Sequence, residues 1–478
     1  MSTFSGLGTA LSSLIAQRQA LEVSGQNIAN ANTVGYTRQR AAMASLPAAT
    51  VPSMFSTSNG VGIGTAVTGV DRLGDVFLDA RVRNETSGAS RLAAVATEYK
   101  TLETTIGEPT ATGFSKDLSS FWSSWSDVVN DPTSDSARSV LLQRGKAVAD
   151  RLSTMHQDIG TQWQQALTTT SALVTQVNTT AANVADLNTR ILAITNAGGS
   201  ANELMDQRDL LVTQLSGLVG ASARTRDDGT VDVMVAGNAL VSGSTANQLA
   251  VSSDSPASLG DAMAAGAPAV SIVWARSGNP SGIEGGRVAG LLTTLAPQSS
   301  GGMLTSAAAA IDEVATKVAT TVNAIHTTGY TVDGYGTGTP GGAFFTFDPA
   351  NPARSLAVAI TDPDGIAVAG AGKGAHDSSV GREIAALAKS TSGADATWSA
   401  FVVDLGVQSA SASSRATVAE AARSTASAAQ LAQTSVDTDE ETVNMLAFQR
   451  AYEGAARVLT AVDEMLDTLI NRTGVVGR

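Results

Sequence analysis

Large apolar residues repeat with helical spacing at both ends of the chain. The N-terminal stripe alternates steps of three and four residues and is interrupted only at Arg18 and Gly25. Its apolar members are Phe4, Leu7, Leu11, Leu14, Leu21 and Ile28. The C-terminal stripe is unbroken and consists of Met445, Phe448, Tyr452, Ala455, Leu459, Val462, Leu466 and Leu469. This spacing is typical of a helix that packs along another helix. The sequence therefore predicts a helix at each terminus.

The two terminal helices are predicted to pair as a coiled coil. Helices of about 28 and 33 residues would each span roughly 40 to 50 Å, so their lengths match. A helix with one apolar stripe gains most of its stability by burying that stripe. The alternative for the C-terminal stripe is an ordinary helix of an intramolecular bundle.

Between the termini, the pattern predicts a helical bundle with β-rich insertions. Helical periodicity runs from about residue 75 to 219, returns over about 305–326, and begins again near residue 380. Short alternating runs separated by Gly-containing turns occupy 221–290, which is typical of β-strands. Residues 329–375 are Gly-rich and include an Asp-Pro-Asp-Gly turn. The predicted fold class is mainly α with β-rich insertions, in a nested multidomain arrangement.

The predicted domains follow this nesting. Residues 1–45 and 434–478 form the terminal helical coiled-coil domain. Residues 46–220, 291–328 and 376–433 form the helical bundle domain. Residues 221–290 form an outer β-rich domain, and residues 329–375 form a Gly-rich extended insertion.

Composition and charge exclude several classes of partner. The chain has 30 basic and 43 acidic residues, and its formal charge of -13 disfavours nucleic acid and anionic membrane surfaces. No run approaches the roughly 18 apolar residues of a membrane span, so membrane insertion is not expected. The N-terminus lacks the pattern of a cleavable secretory signal, because polar residues interrupt it from Gln17 to Glu22. Cysteine is absent, so disulfides and thiolate metal sites are excluded.

No group of residues has the pattern of a catalytic, cofactor-binding or metal-binding site. The three histidines, His156, His326 and His376, share no metal-ligand spacing. An acidic run from Asp437 to Glu441 lacks the glycine of a calcium loop and favours the start of a helix. Thr438 and Glu441 have the spacing of a capping box. We therefore expect neither an enzyme nor a bound cofactor.

Both chain ends resemble the terminal segments of bacterial flagellar axial proteins, the group that includes rod, hook and hook-associated proteins. The N-terminal segment is SGLGTALSSLIAQRQALEVSGQNIANANTVGYTRQR, and the C-terminal one is VDTDEETVNMLAFQRAYEGAARVLTAVDEMLDTLIN. By this resemblance, Asn27, Asn30, Gly35 and Tyr36 belong to the N-terminal motif of the group, and the seam residues form an inner tube of paired helices.

Internal segments resemble the hook-associated protein 1 family. They are NELMDQRDLLVTQLSGLVGASARTRDDGTVDVMVAGNALVSG, NAIHTTGYTVDGYGTGTPGGAFF and SLAVAITDPDGIA. The resemblance implies a structural subunit that is secreted by flagellar type III export and joins hook to filament outside the cell. The implied partners are further copies of the chain, the hook protein, hook-associated protein 3 and an export chaperone that binds within residues 440–469.

Two alternative functions stay open at this point. Within the same group, the chain could be a hook or distal-rod subunit, although Thr37-Arg38-Gln39 and the DQRDLL segment argue against it. From a different class, it could be a secreted protein with an enzymatic or adhesive outer domain. Residues 221–290 contain neither His nor Cys, which disfavours an enzymatic site there.

Overall fold

The computed structural model describes residues 3–47, 62–332 and 339–472, and helices dominate these residues. The helices are α1 (Thr3–Asn30), α2 (Val76–Ile106), α3 (Phe114–Asn130), α4 (Asp135–Asn196), α5 (Asn202–Val219), α6 (Leu259–Met263), α7 (Gly286–Thr294), α8 (Met303–His326), α9 (Pro352–Ser355), α10 (Ser379–Ala386), α11 (Ala394–Thr434) and α12 (Thr438–Asp467). The strands are β1 (Gln39–Leu46), β2 (Gly64–Arg72), β3 (Ser222–Thr225), β4 (Val231–Val235), β5 (Asn238–Ser242), β6 (Thr245–Ala246), β7 (Leu249–Val251), β8 (Ile272–Trp274), β9 (Phe345–Thr346) and β10 (Ala357–Val358). The predicted fold class is confirmed.

Local capping chemistry sets several helix boundaries. Asp75 begins α2 by accepting backbone hydrogen bonds from Phe77 and Leu78. Gly107 ends α2 with a φ of 65°, a left-handed conformation that glycine adopts without steric cost. Asp437 begins α12 by accepting from the backbone N–H groups of residues 439 and 440. These signals are local, which explains why the sequence placed most helices well.

The bundle is organised around α4, which is 62 residues long. This helix contacts α3, α5, α7 and α8, and also strands of both insertions. Trp125 and Trp163 are fully buried in the core, so the few aromatic residues of the chain are concentrated where they bury the most apolar area. Helices α2 and α11 pack against each other along the outside of this core.

The β-rich segment rests on α4 through two asparagines. Strands β3 to β6 form an antiparallel sheet in sequence order, and β7 pairs with β8. Asn188 donates from Nδ2 to the backbone oxygens of Val231 and Gly243, both at 2.8 Å. Asn178 exchanges two hydrogen bonds of 2.8 Å with the backbone of Leu249. The sheet is thereby fixed to the bundle by backbone recognition as well as by apolar packing.

The insertion after α8 also closes onto the bundle. Phe344 and Phe345 are buried, and β9 pairs with β10. A Cβ atom on Gly145 of α4 would lie 3.0 Å from the Phe344 ring, so this glycine leaves the room that the phenylalanine fills. Residues 333–338 of the predicted insertion lie outside the described residues.

One predicted domain boundary is wrong. The division between residues 45 and 46 falls inside an antiparallel hairpin, because β1 pairs with β2 from Gln39↔Arg72 to Leu46↔Gly64. Sequence patterns alone gave no pairing partner for residues 39–46, so the division was placed one strand too early. The hairpin belongs with the terminal helices, since α1 packs on β1 and β2.

Candidate assembly site at the joined chain ends

The first and last long helices lie side by side within one chain. Helix α1 packs along α12. Arg38, just after α1, bonds to the first turn of α12, whereas a Cβ atom on Gly6 would lie 3.5 Å from Val462 near its other end. The pair is therefore antiparallel.

The C-terminal stripe faces α1. Ala455 and Val462 are buried, whereas Tyr452 and Leu469 remain largely exposed. The partly buried members are Met445, Phe448, Leu459 and Leu466. Most of this predicted seam is used inside a single chain, as expected for a helix that packs on another helix.

The N-terminal stripe is placed differently. The buried positions of α1 are small or polar: Ala10, Ala16, Ala20, Ser24 and Asn27. Of the predicted seam, Leu7, Leu14, Leu21 and Ile28 are only partly buried, and the side chain of Phe4 lies outside the described residues. Leu11 is 51% exposed, so it takes no part in the contact inside the chain, and its predicted place in an assembly seam stays a prediction. Small side chains are buried because α1 approaches both α12 and β2 closely.

Asn27 joins α1 to the first strand. Its Nδ2 donates to the backbone oxygen of Gln39 at 2.8 Å, and its Oδ1 accepts from the Gln39 N–H at 2.9 Å. The hydroxyl of Tyr36 donates to the same Oδ1 at 2.8 Å. Helix α1 continues to Asn30, so Asn27 lies inside the helix and not at its end. Its role is to hold the returning chain against α1.

The other two motif residues shape the turn after α1. Asn30 donates from Nδ2 to the backbone oxygen of Gln26, and it accepts from the hydroxyl of Thr33 at 3.2 Å. Gly35 has a φ of 82°, and a Cβ atom there would lie 3.6 Å from Leu210 of α5. The turn therefore needs glycine for its backbone conformation and brings the chain against α5.

Arg38 connects the N-terminal segment to α12. Its guanidinium lies 2.9 Å from a carboxylate oxygen of Glu440 and 2.7 Å from one of Glu441. Its backbone N–H donates to the backbone oxygen of Thr434, the last residue of α11. Glu441 is buried in this ion pair, so the expected capping box with Thr438 is wrong. Asp437 caps the helix instead.

Helix α5 supplies the third side of the site. Asp206 lies 2.7 Å from Arg72 of β2 and accepts from the backbone N–H of Thr37 at 3.1 Å. Asp209 lies 2.9 Å from the same Arg72. Asn202 donates to the side chain of Gln39 and to the backbone of β2.

We call this set of contacts the connector cluster. Its members are Asn27, Tyr36, Thr37, Arg38, Gln39, Arg72, Asn202, Glu203, Asp206, Asp209, Glu440 and Glu441.

Burial shapes the electrostatics of the connector cluster. Burial is the main cause that raises the pKa of the Tyr36 phenol above its usual range, and the carboxylates of Glu203, Asp206 and Glu441 add to it. Burial also raises the pKa of Asp206, although Arg72 opposes that rise. The Glu440 hydrogen bond is the main cause that raises the pKa of Arg38. Tyr36 is therefore a neutral hydrogen-bond donor, and the arginines stay charged.

Sequence reasoning did not assign roles to Arg38, Arg72 or Asp206. The segments that contain Arg38 and Asp206 carry the family resemblance, but nothing in their spacing indicates that they meet. Nearly the whole chain separates Arg38 from Glu441, and only the fold brings them together.

The described residues offer no site for a metal ion, since no group of three or more His, Asp or Glu side chains is suitably placed. Nor is any helix in the described part of the chain both long and apolar enough to cross a membrane.

Comparison with known proteins identifies the class through the elements that build this site. The family model described as flagella basal body rod protein matches residues 7–37. The model described as flagellar basal body rod FlgEFG protein C-terminal matches residues 428–472. Together they cover α1, the turn after it and α12. Both joined ends of the chain therefore match family models of flagellar rod proteins.

The middle of the chain gives the particular family. The model described as flagellar hook-associated protein FlgK helical domain matches residues 99–345. Flagellar hook-associated protein 1 of Bacillus subtilis (strain 168) is 30% identical over 513 residues, which cover 100% of both chains. The chain belongs to the flagellar hook-associated protein 1 family. It is a structural component of the extracellular bacterial flagellum and not an enzyme.

Other relatives agree over parts of the chain. Flagellar hook-associated protein 1 of Escherichia coli (strain K12) is 32% identical over 247 residues, which cover 51% of this chain and 44% of that protein. The flagellar hook junction protein FlgK from Burkholderia pseudomallei has a similar fold. Its structure gives a TM-score of 0.62 at 17% identity and covers 75% of this chain and 100% of that one. The resemblance found in the sequence is confirmed, and the hook and distal-rod alternatives are not supported by the central match.

Proposed function

We propose that this chain forms a short zone between the flagellar hook and the filament, and that copies assemble through an outward face of the α1–α12 pair. Its neighbours in this proposal are further copies, the hook protein and hook-associated protein 3. Export through the flagellar type III channel, aided by a chaperone that binds within 440–469, precedes assembly. The matches to flagellar rod and hook-associated protein families support a structural role in the flagellum. The identity of the neighbouring proteins is the part of the proposal that needs a test.

The observation that carries the proposal is a set of large apolar side chains that the intramolecular pair leaves exposed. On α1 they are Leu11 and Ile15. On α12 they are Val443, Leu446, Val458 and Met465, followed by Leu469 and Ile470 in the turn after it. Scattered exposed apolar residues are common, but a series along one helix pair is typical of an interaction surface.

Burial of this series would supply the energy for assembly. Each large apolar side chain contributes roughly 1.5 to 3 kcal/mol when it is removed from water. The contacts inside the chain already use Ala455 and Val462, so they do not compete with the exposed series. One helix can therefore serve its own chain on one side and a neighbour on another.

Adjacent residues of α12 provide a matched test. Val458 is 52% exposed, whereas Leu459 is partly buried toward α1. We expect Val458→Asp to leave the helical content and unfolding free energy of the purified monomer nearly unchanged and to abolish filaments in a strain that lacks the native chain. Leu459→Asp should instead destabilise the monomer, because a charge enters the intramolecular contact.

The control is Thr460→Asp, which adds the same charge at an exposed polar position of α12. It should support motility and normal filaments. Hooks without filaments for Val458→Asp, seen by electron microscopy, would support the proposal. Normal filaments from that variant would show that the exposed series is not the assembly surface.

Single cysteines can identify the neighbours, because the chain has none of its own. A Val458→Cys variant whose thiol carries a photo-activated cross-linker should cross-link in isolated hook–filament complexes to another copy, to the hook protein or to hook-associated protein 3. Cross-linking to none of these would contradict the proposed position.

For the chaperone, a chain that ends at Asp437 should no longer co-purify with it.

A further inference from the structure

The ring of His326 lies where the insertion after α8 returns to the bundle. His326 is the last residue of α8, and its side chain is fully buried. Its ring centroid is 6.1 Å from that of Trp125 in α3 and 5.7 Å from that of Phe344 in the insertion. The imidazole is thus enclosed by apolar rings from two different segments.

Both ring nitrogens bind backbone groups of the insertion. Nδ1 lies 2.7 Å from the backbone oxygen of Gly342, and the backbone N–H of Ala367 donates to Nε2 at 2.9 Å. A carbonyl oxygen only accepts and a backbone N–H only donates, so one arrangement of protons satisfies both contacts. The ring is neutral, with its proton on Nδ1.

The surrounding backbone is packed too closely to replace these contacts. A Cβ atom on Gly341 would lie 2.5 Å from both the Ala367 Cβ and the His326 backbone oxygen. The Tyr330 N–H donates to the Ala369 backbone oxygen at 2.8 Å. Residues 341–342 and 367–369 therefore meet around the ring, with no room for an additional donor.

The charged surroundings oppose protonation of the ring. Burial is the main cause that lowers the pKa of His326, and the buried guanidinium of Arg138 in α4 lowers it further, against the hydrogen bond to Gly342. Several titratable side chains on the nearby elements are exposed to solvent, among them Asp127 of α3, Asp364 of the insertion, and Arg382 and Glu383 of α10. Tyr330 and Asp377 are half-buried.

We propose that His326 is an acid-sensitive contact that holds residues 341–345 and 366–369 on the end of α8 while its ring is neutral, and that releases them when the ring is protonated. A proton on Nε2 would face the Ala367 N–H, so two donors would oppose each other in a buried site without an acceptor. Opening the segment lets water solvate the charged ring.

The sign of the pH dependence follows from the lowered pKa. The folded form binds the proton more weakly than the opened form, whose histidine has the ordinary pKa of about 6.5. The contact therefore stabilises the segment above about pH 6.5, and this contribution is lost as the pH falls below that value. Each unit of difference between the two pKa values changes the opening equilibrium by about tenfold.

Hydrogen exchange of the native full chain tests this directly. After correction for intrinsic exchange rates, the opening equilibrium constant of the Ala367 amide and its neighbours should be at least about tenfold larger at pH 5 than at pH 7.5. The amide of Val231 is the internal control, since Asn188 holds it and no histidine takes part. Equal pH dependence at Ala367 and Val231 would overturn the proposal.

Variants separate His326 from general acid effects. His326→Gln keeps a donor and an acceptor but does not titrate, so local opening should become independent of pH between 7.5 and 5. His376→Gln, at an exposed position directly after the insertion, should keep the wild-type pH dependence. Undiminished pH dependence in His326→Gln would contradict the proposal.

A measurement on the unaltered histidine covers the case in which His326→Gln does not fold. The ring signals of the three histidines can be assigned by NMR with His156→Gln and His376→Gln. We expect the His326 ring to titrate below about pH 6.5 together with the change in exchange at residues 366–369. Titration at or above that value, without a change in exchange, would refute the proposed contact.

Discussion

At the scale of single residues, the connector cluster depends on buried polar groups that each have a specific partner. The side-chain amide of Asn27 bonds to both backbone groups of Gln39, and the Tyr36 hydroxyl donates a third hydrogen bond to the Oδ1 atom of Asn27. Removing one partner from such a group costs about 1 to 3 kcal/mol, because the remaining group stays buried without a hydrogen bond. A few side chains therefore fix the position of the terminal helices relative to the bundle.

Glu440 and Glu441 provide a comparison between an exposed and a buried partner of the same arginine. The Glu441 side chain is 3% exposed in its ion pair with Arg38, whereas that of Glu440 is 57% exposed. We expect Glu441→Ala to lower the unfolding free energy by about 1 to 3 kcal/mol. Glu440→Ala should cost less than about 1 kcal/mol, since water screens an exposed pair.

Denaturant unfolding of the purified chain measures both effects, and an Arg38→Ala double-mutant cycle isolates each pair. The Glu440 coupling should weaken with added salt, while the Glu441 coupling should persist. Equal losses for both glutamates would show that burial does not decide the strength of these pairs.

At the scale of elements, the antiparallel α1–α12 pair rests on unequal surfaces. Helix α12 contributes Ala455, Val462 and partly buried larger residues, whereas α1 buries alanines and Ser24. The small side chains let α1 approach α12 and the hairpin at once. This differs from a symmetric coiled coil, in which large residues of both helices interlock.

The close approach predicts that added volume on α1 is harmful. Ala16 is 1% exposed, so Ala16→Leu should force the helices apart and lower the unfolding free energy by about 1 to 3 kcal/mol. Gln19→Leu adds the same side chain at an exposed position of α1 and should have a small effect. Thermal unfolding followed by circular dichroism compares the two. A neutral Ala16→Leu would mean that α1 is packed loosely.

The same contrast shows how far the sequence could predict the fold. The sequence indicates the side of α12 that faces α1, because Met445, Phe448, Leu459 and Leu466 of the predicted stripe are partly buried there. The face of α1 that packs inside the chain is not evident from the sequence, because its buried residues are small and its leucines are at most partly buried. Helix boundaries at Asp75 and Gly107 were predictable from local chemistry, whereas the pairing of Arg38 with Glu441 required the fold.

At the scale of the whole molecule, the β-rich segment leaves the bundle and returns at one point. A Cβ atom on Gly220 would lie 2.7 Å from the Gly285 Cα, so the two ends of the segment are in contact. At the same time, Val233 and Leu240 belong to the hydrophobic core that continues into the bundle. A short linker could therefore join the two ends of the segment, but removing the segment would uncover the part of α4 on which it packs.

We therefore expect replacement of residues 222–284 by a short Gly/Ser linker to preserve the helices and to lower the thermal stability. The loss arises because α4 would expose the apolar face that the sheet covers. Circular dichroism and thermal unfolding of the purified chain test this, and motility shows whether the shortened chain still assembles. Loss of the helical signal would instead show that the segment is essential to the bundle core.

The meeting of the two chain ends has a consequence for incomplete molecules. A polypeptide that stops before Thr438 contains every element up to α11 but lacks the partner of α1 and both carboxylates that bind Arg38. Its ends stay open, because α1 has no second helix along the face that packs on α12. Closure of the terminal pair therefore depends on α12, and we expect a polypeptide truncated before Thr438 to leave the packing face of α1 uncovered.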